Sequence, residues 1–482
     1  MINFRPVARV IALLYAIIGG MIWTALPFAW WYGEPGLPIF LAGLASAAVG
    51  AGLFQVKNPR GVPIRKREGY LIVVLSWLAM ISAGMLPYLF SGAIPEVHNA
   101  LFETVSGMTT TGASVLTDIE AQPRGILYWR SLTQWIGGMG IIVLTVAIFP
   151  LLGIGGIELF AAEAPGPTSD KLHPRISETA KRLWLLYVSL TVILGLLLFI
   201  FGLSPYEAIN HALTTMATGG FSTRNASAAA FAPHIQYLLV VFMFLAGVNY
   251  TVLYLSYKRR WQDVWRSDEL KAYIALVVVL TVGCTLGVYY SAAGPGLEQS
   301  FRDSLFQIVS LITTTGFVTA DYTSWSTSLT IVFFVLLFLG ACAGSTSGGI
   351  KLIRHLVFLR NSYLEFKRIV HPAAIIPLRL NGEVVPGKII THVFNFLLLY
   401  LLLFVVGSVI LAVLGLDFMT AIGAMATSLG NVGPGIGDVG PVDNFAGLSA
   451  PIKVFLSFVM LIGRLEIFTV LVLFTPYFWR LN

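Results

Sequence analysis

Four stretches of the chain combine threonine or asparagine with glycine in a pattern that suits coordination of a dehydrated cation. They are Met108–Ser114, Met216–Ser222, Ile312–Val318 and the looser Leu429–Gly435. Backbone carbonyls can replace the water shell of K⁺ without a fixed charge, which lets the ion leave again. Four such stretches around one axis would form stacked rings of oxygen atoms. The pattern therefore predicts a selectivity filter for a monovalent cation.

The candidate ligands are the residues at and just before the glycine of each stretch. Their carbonyls would supply the rings, and the glycines would permit the positive φ that turns carbonyls toward the axis. The predicted filter residues are Thr110, Thr111, Gly112, Thr218, Gly219, Gly220, Thr314, Thr315, Gly316, Asn431, Val432 and Gly433. The hydroxyls of Thr109 and Thr313 are candidates for a lower ring. A single stretch could instead be a glycine cap that ends a buried helix, but recurrence in four places favours the filter.

Each predicted filter loop lies between a short and a long apolar segment. The short ones cannot cross a hydrocarbon core of ~30 Å, so we expect re-entrant half-helices whose partly negative C-terminal ends face the loops. These half-helices are Glu96–Thr109, Tyr206–Ala217, Phe301–Thr313 and Phe418–Leu429. The predicted spans are Val7–Trp31, Leu37–Val56, Gly69–Phe90, Ile126–Leu152, Leu183–Gly202, Ile235–Tyr257, Ala272–Tyr290, Ser328–Phe358, Ile389–Leu414 and Pro451–Phe478.

Composition supports a membrane protein. Of the 482 residues, 57% are hydrophobic and only 11% are charged, whereas a soluble domain carries about 25% charged residues. We predict an all-α polytopic membrane protein with ten transmembrane helices. The net charge of +7 does not indicate nucleic-acid binding, because most Lys and Arg residues lie in loops on one side of the predicted spans. That bias predicts that both termini are cytoplasmic.

The order span, half-helix, filter loop, span occurs four times after an N-terminal hairpin of two spans. The predicted domains are the hairpin at 1–68 and the pore repeats at 69–170, 171–262, 263–375 and 376–482. All four repeats run in the same direction, as a ring around an axis along the membrane normal requires. Inverted repeats, which many secondary transporters contain, would alternate in direction.

A second candidate site lies inside the predicted span Ser328–Phe358, where small residues dominate. Backbone in a membrane leaves the helix only where protein or water satisfies its polar groups. We therefore predict a broken helix whose loop lies under the third filter loop and gates the path, with close helix packing as the alternative. The candidate gate residues are Gly344, Ser345, Thr346, Ser347, Gly348 and Gly349. The order Gly348-Gly349-Ile350-Lys351 lacks the Gly-Lys-Ser/Thr sequence of a phosphate-binding loop, so nucleotide binding is not expected here.

Arg464 lies deep inside the predicted span Pro451–Phe478. A charge at this depth is costly and usually faces an interior cavity. We expect Arg464 to face the pore below the filter, where it would repel cations or bond carbonyls of the loop Gly344–Gly349. The alternative is a purely structural bond to another helix.

Together these motifs resemble the Trk/Ktr/HKT superfamily of cation transporters, and most closely the bacterial TrkH and TrkG potassium-uptake subunits. The matching motifs are Ser106–Gly112, Gln134–Gly140, Thr218–Ser222, Thr313–Phe317, Gly344–Lys351 and Asn431–Gly435. The resemblance implies a pseudo-fourfold pore, a homodimer in the lipid of the bacterial inner membrane, a gating loop in the third repeat and a separate TrkA-like cytoplasmic nucleotide-binding ring as partner. Sodium-preferring plant relatives carry serine at the position of Gly112, so its glycine favours K⁺.

Three functional readings follow. The first is uptake of K⁺ as the transported ion, with no organic cofactor, either channel-like or coupled as a symport to Na⁺ or H⁺. The second is a membrane receptor or scaffold of the same fold that does not conduct; substituted filter glycines would have favoured it, and all four glycines are present. An enzyme is not expected, because the sequence contains no catalytic constellation.

Overall fold

The structure, a computed structural model, describes residues 4–55, 66–143, 176–291 and 296–480. Within these ranges it is a helical protein, as predicted, and it also contains one two-stranded β-hairpin that was not predicted. Six helical segments in the described ranges are long and apolar enough to cross a membrane, and two bent helix pairs raise that number to eight. Helices Arg124–Val143 and Thr327–Leu336 stand at the two remaining predicted spans, which is consistent with ten. The ends of predicted spans Leu37–Val56 and Ile126–Leu152 lie outside the described residues.

The described helices follow one another in chain order. They are α1 (Phe4–Trp23), α2 (Leu26–Trp31), α3 (Leu37–Phe54), α4 (Lys66–Gly84), α5 (Leu86–Ser91), α6 (Val97–Met108), α7 (Arg124–Val143), α8 (Ile176–Ile200), α9 (Pro205–Met216), α10 (Pro233–Gly247), α11 (Tyr250–Tyr257), α12 (Trp261–Val264), α13 (Asp268–Tyr289), α14 (Leu297–Ile312), α15 (Thr327–Leu336), α16 (Leu352–Val370), α17 (Gly387–Val413), α18 (Phe418–Gly430), α19 (Ala450–Arg464), α20 (Ile467–Leu471) and α21 (Pro476–Trp479). Short 3₁₀ turns occupy Ser227–Ala230 and Val472–Phe474.

The N-terminal hairpin is held together by close backbone approach. Helix α1 packs along α3 and also against α4, which joins the hairpin to the first repeat. A β-carbon on Gly50 of α3 would lie 2.7 Å from the carbonyl oxygen of Ala12 on α1. Small residues at such crossings are typical of membrane helices, because lipid is as apolar as leucine and association depends on close packing.

The four predicted half-helices are confirmed as the short helices α6, α9, α14 and α18. Two of them begin at side-chain caps. Ser204 accepts a hydrogen bond from the Glu207 amide at 3.2 Å, and Asp417 accepts one from the Met419 amide at 3.0 Å. Such caps satisfy amide groups that a helix start leaves free. Each short helix then ends at one of the four glycine-containing loops.

Two of the predicted spans are sharply bent and are not straight helices. The predicted span Ile235–Tyr257 bends by 105° between α10 and α11, and the span Pro451–Phe478 bends by 113° after α19. At the first bend, the Gly247 carbonyl accepts the Cys342 amide at 3.0 Å, while the Tyr250 amide donates to the Gly344 carbonyl at 3.1 Å. Another segment of the chain therefore takes over backbone bonds that an unbroken helix would make internally.

That segment comes from the span predicted to be broken. Helix α15 ends at Leu336, and α16 begins only at Leu352. The irregular backbone between them closes on itself, since the Gly340 amide donates to the Ile350 carbonyl at 2.8 Å. Beyond α16, strands β1 (Arg379–Leu380) and β2 (Glu383–Val384) form an antiparallel hairpin.

The β-hairpin belongs to a second, small hydrophobic cluster, apart from the main core. The cluster joins residues of α16, the hairpin and the start of α17, namely Ile353, Val357, Leu378, Leu380, Val385, Ile389 and Val393. The segment that follows the irregular loop is therefore packed against the start of the fourth repeat.

Candidate ion-coordination site and gate

The four loops share one unusual backbone conformation. Two residues before each glycine, Thr110, Thr218, Thr314 and Asn431 have φ of 55°, 52°, 55° and 54°. The glycines Gly112, Gly220, Gly316 and Gly433 have φ of 87°, 75°, 78° and 105°. For a residue with a side chain this left-handed conformation costs about 1–2 kcal/mol. Sequence analysis anticipated the positive φ of the glycines but missed that of the threonines and the asparagine.

Each loop is tied to its own short helix by an equivalent hydrogen bond. The amide of the residue before the glycine donates to the carbonyl five residues earlier: Thr111 to Ser106 at 2.8 Å, Gly219 to Thr214 at 2.9 Å, Thr315 to Ser310 at 2.8 Å and Val432 to Thr427 at 3.0 Å. Because the amides point back at the helix ends, the left-handed turns are held by the same bond in all four repeats.

The four loops close into a ring. A β-carbon on Gly112 would collide with the carbonyl oxygen of Gly219 in the second loop, and one on Gly433 would lie 2.7 Å from that of Thr111 in the first. Gly220 and Gly316 have the same relation to the Thr315 and Val432 carbonyls of the next loops. Each glycine therefore faces the carbonyl of the neighbouring repeat, in the cyclic order one, two, three, four, one.

A second set of contacts closes the same circle further along the loops. The Ile119 amide donates to Asn225 Oδ1 at 2.7 Å, joining the first loop to the second. The remaining contacts are from the Ala229 amide to the Val318 carbonyl at 3.0 Å, from the Tyr322 hydroxyl to the Gly435 carbonyl at 2.7 Å and from the Phe445 amide to the Ser114 carbonyl at 2.8 Å. The twelve predicted filter residues thus lie together around one axis.

All four loop glycines also line one cavity of about 200 Å³ above the ring. Asn225, which lines the cavity, donates through its side-chain amide to Asp118 Oδ1 at 3.1 Å. This bond, with that from the Ala121 amide, lowers the pKa of the exposed Asp118 carboxyl group. The carboxylate is therefore ionised at neutral pH close to this cavity.

The side chains of the filter loops brace the backbone. Thr109 Oγ1 bonds the Val105 carbonyl at 2.7 Å and Thr111 Oγ1 at 2.7 Å, and Thr313 makes the equivalent pair of bonds in the third loop. Asn431 Nδ2 bonds Thr111 Oγ1 at 3.0 Å, which links the fourth loop to the first. A lower ring of hydroxyl ligands from Thr109 and Thr313 stays a prediction.

A buried ion pair supports the first filter loop. Arg130 Nε lies 2.6 Å from Glu103 Oε1, and the side chains are 3% and 0% exposed. Glu103 also accepts the Val115 amide at 2.9 Å, and Arg130 donates to the Ser222 carbonyl at 3.0 Å. The pair therefore joins loops one and two. The sequence does not indicate this pairing, because the two residues lie 27 positions apart.

Removing one member of this pair should destabilise the protein. Glu103→Leu leaves Arg130 buried without its counter-charge, which costs about 3–5 kcal/mol. We expect a lower midpoint of thermal unfolding in detergent, followed by fluorescence-detected size exclusion. Glu103→Leu combined with Arg130→Met should recover most of the loss, since an apolar pair can replace a buried ion pair. A double variant as unstable as Glu103→Leu would contradict this account.

The predicted gate residues lie directly beneath the ring. The Gly348 amide donates to Thr314 Oγ1 of the third loop at 2.6 Å. Thr346 Oγ1 donates to the Met216 carbonyl at the end of α9, at 3.1 Å. A β-carbon on Gly348 would lie 2.7 Å from the carbonyl of Gly430 at the end of α18. The loop therefore contacts the lower ends of repeats two, three and four.

Arg464 connects this loop to the first repeat. Its guanidinium donates to the Thr346 carbonyl at 2.9 Å and to the Gly137 carbonyl of α7 at 3.5 Å. Arg464 is 3% exposed, and none of the described carboxylates forms an ion pair with it. The positive charge thus lies among backbone carbonyls beneath the ring of loops. That Arg464 faces a pore stays a prediction.

Two acidic residues anchor the loop from outside, and their pairing was not apparent from the sequence. Glu269 Oε1 accepts both the Ala343 amide at 2.8 Å and the Ile353 amide at 3.0 Å, one at each end of the loop. Glu466, at the bend after α19, lies 2.6 Å from Arg354 of α16. The loop is therefore held by α13, and helix α16, which follows the loop, is held by the bend after α19.

The comparison with known families agrees with this geometry. A family model named TrkH and described as a cation transport protein matches residues 36–291 and 291–480. The chain belongs to the TrkH family of cation transport proteins. Membership of this family makes the protein a transporter rather than an enzyme.

Individual relatives of the TrkH family match the chain over almost its whole length. It is 39% identical to the Trk system potassium uptake protein TrkH of Salmonella typhimurium, covering 99% of this chain and 100% of that protein. It is 34% identical to TrkG of Escherichia coli over 94% of both proteins. The crystal structure of the potassium transporter TrkH from Vibrio parahaemolyticus matches with a TM-score of 0.91 and 36% identity, covering 99% of this chain and 100% of that one.

Proposed function

We propose that this TrkH-family protein carries K⁺ into the cell through a filter made of the four loops. The observation that carries the proposal is the ring in which each loop glycine faces a carbonyl of the next loop. Carbonyl oxygens arranged around one axis can replace the hydration shell of K⁺. The similarity to relatives named as potassium uptake proteins supports the same ion.

The filter proper is formed by the twelve residues predicted from the sequence, and the loop Gly344–Gly349 with Arg464 is its gate. The loop lies in the path below the ring, and the Arg464 charge beside it repels cations. Contacts of Thr346 and Gly348 with the lower ends of several repeats support this role. Opening requires the loop to leave these partners.

Flow through this path is channel-like. Glu466 lies inside the predicted span Pro451–Phe478 and is the candidate proton relay for coupled transport. Its ion pair with Arg354 at 2.6 Å favours a structural role instead. The protein works as a homodimer in the bacterial inner membrane, with both termini cytoplasmic and with a TrkA-like nucleotide-binding ring acting on the gate. Helix α16 leads from the gate to the side of the membrane where that ring would bind.

The test is uptake of radioactive rubidium, a K⁺ substitute, into proteoliposomes that contain this chain. We expect uptake that excess K⁺ blocks and excess Na⁺ does not, and that increases when a TrkA-like partner is added. Vesicles with heat-inactivated protein are the control. Absence of uptake with the partner present would contradict transport and favour the receptor or scaffold interpretation.

A further inference from the structure

Among the described residues, Gln134 of α7 makes a contact that has no counterpart in the other filter loops. This fully buried side chain donates through Nε2 to the carbonyl of Gly219 at 2.6 Å, and its Oε1 accepts the Phe221 amide at 3.1 Å. Gly219 O is also the carbonyl that faces Gly112 in the ring. A helix of the first repeat thus holds the second filter loop through both polar atoms of one side-chain amide.

The second loop differs from the others at this position. Thr111, Thr315 and Val432 carry side chains, and the two threonine hydroxyls bond Thr109 and Thr313 within their own loops at 2.7 Å. Gly219 has no side chain. The three atoms nearest to a β-carbon on Gly219 would all belong to the Gln134 amide, and the closest would collide with it.

The backbone does not explain this glycine. Gly219 is not among the described residues with positive φ, so its conformation is open to any residue. The space occupied by Gln134 is what excludes a side chain there. Residues 134 and 219 therefore form one packing unit, in which the glutamine takes the place of the missing loop side chain.

We propose that Gln134 is a positioning residue that sets the ion selectivity of the filter through the Gly219 carbonyl. This inference rests on the proposed function. A carbonyl oxygen has two lone pairs, so Gly219 O can accept the Gln134 amide and still face the axis. The bond holds the oxygen in place and withdraws electron density from it. A weaker ligand field favours K⁺, which loses its water shell more readily than Na⁺ does.

The first test replaces Gln134 with methionine, which has similar length and no amide. This change removes both hydrogen bonds of Gln134. We expect the ratio of K⁺ to Na⁺ uptake into proteoliposomes to fall about tenfold, as loss of the bond to the Gly219 carbonyl implies. The matched control is Gln236→Met. Gln236 is also a buried glutamine that donates to two carbonyls, those of Ala228 at 3.1 Å and Phe231 at 2.9 Å, but both lie outside the ring. The ratio of K⁺ to Na⁺ uptake in Gln236→Met should stay at the wild-type value.

The second test compares a single and a double substitution at residues 134 and 219. Its result does not depend on the stability of the Gln134→Met variant. Gly219→Ala alone should lose most uptake, because its β-carbon collides with Gln134. Gln134→Ala combined with Gly219→Ala should retain at least about tenfold more uptake than Gly219→Ala, since residues in contact are coupled. Size-exclusion chromatography gives the amount of folded protein by which each flux is divided.

The outcomes separate the two claims. Wild-type protein without Rb⁺ uptake would overturn the proposed function. Wild-type uptake together with an unchanged selectivity ratio in Gln134→Met, or with additive effects of Gln134→Ala and Gly219→Ala, would overturn the role of Gln134 alone. A ratio that falls equally in Gln134→Met and Gln236→Met would also overturn it, because the effect would then follow from any lost buried amide.

Discussion

Gly112→Ser should cause a large loss of ion selectivity. Gly112 has φ of +87° and faces the carbonyl of Gly219 so closely that a β-carbon would collide with it. Backbone strain in this conformation alone amounts to about 1–2 kcal/mol, and relief of the collision displaces a ring oxygen. We expect the ratio of K⁺ to Na⁺ uptake to fall at least about tenfold, measured with rubidium and sodium tracers in proteoliposomes.

Gly92→Ser is the matched control for this substitution. Gly92 also has a left-handed backbone, with φ of +72°, but no atom would lie within 4 Å of its β-carbon. The same side chain and similar strain are then introduced away from the filter, and the uptake ratio should remain unchanged. Equal effects of the two substitutions would show that backbone strain, and not the ring, determines selectivity.

Arg464→Met should increase rubidium uptake in the absence of any regulatory partner. The substitution removes the bond to the Thr346 carbonyl at 2.9 Å and the positive charge below the filter. A hydrogen bond from a charged group contributes about 1.5–3 kcal/mol, so the closed loop should lose that much relative to an open one. Uptake should therefore increase about tenfold or more at equal amounts of folded protein.

Lys453→Met provides the control, because both cations are buried residues of α19 with 3% exposure. The Lys453 amino group donates to Asn99 Oδ1 at 2.9 Å and to the Ala446 carbonyl at 2.8 Å, away from the gate loop. This variant should not increase uptake. If Arg464→Met also leaves uptake unchanged or reduces it, the arginine does not hold the gate closed, and the structural alternative for Arg464 is favoured.

Much of this architecture follows from local sequence. Long apolar runs predict helices that cross a membrane, and short runs before Thr-Gly pairs predict helices that end at a loop. The glycine positions also predict the positive φ found at Gly112, Gly220, Gly316 and Gly433. These features depend on residues that are neighbours in the chain, or on a repeat that is visible by alignment.

The features that sequence analysis missed depend on contacts between distant segments. The bend after Gly247 is stabilised because Cys342 and Gly344 bond to backbone groups that an unbroken helix would pair internally. The sequence of residues 235–257 gives no sign of these partners. Gln134 belongs to a recognisable motif, but its partner Gly219 lies in another repeat. Arg130 and Glu103 are likewise distant in the sequence. From sequence alone, an arginine near the start of a helix cannot be distinguished from an exposed basic residue of the preceding loop.

The bend between α10 and α11 has a consequence for how members of this family can be recombined. The carbonyl of Gly247 and the amide of Tyr250 lack helical partners at the bend and bond to the loop of the third repeat instead. The backbone hydrogen bonds of the second repeat are therefore satisfied only when that loop is present. A chimera that takes its second repeat from one relative and its third from another would have to match both halves of this joint. A chimera that exchanges the second and third repeats together should keep these backbone hydrogen bonds. The two repeats should therefore be exchanged as one segment.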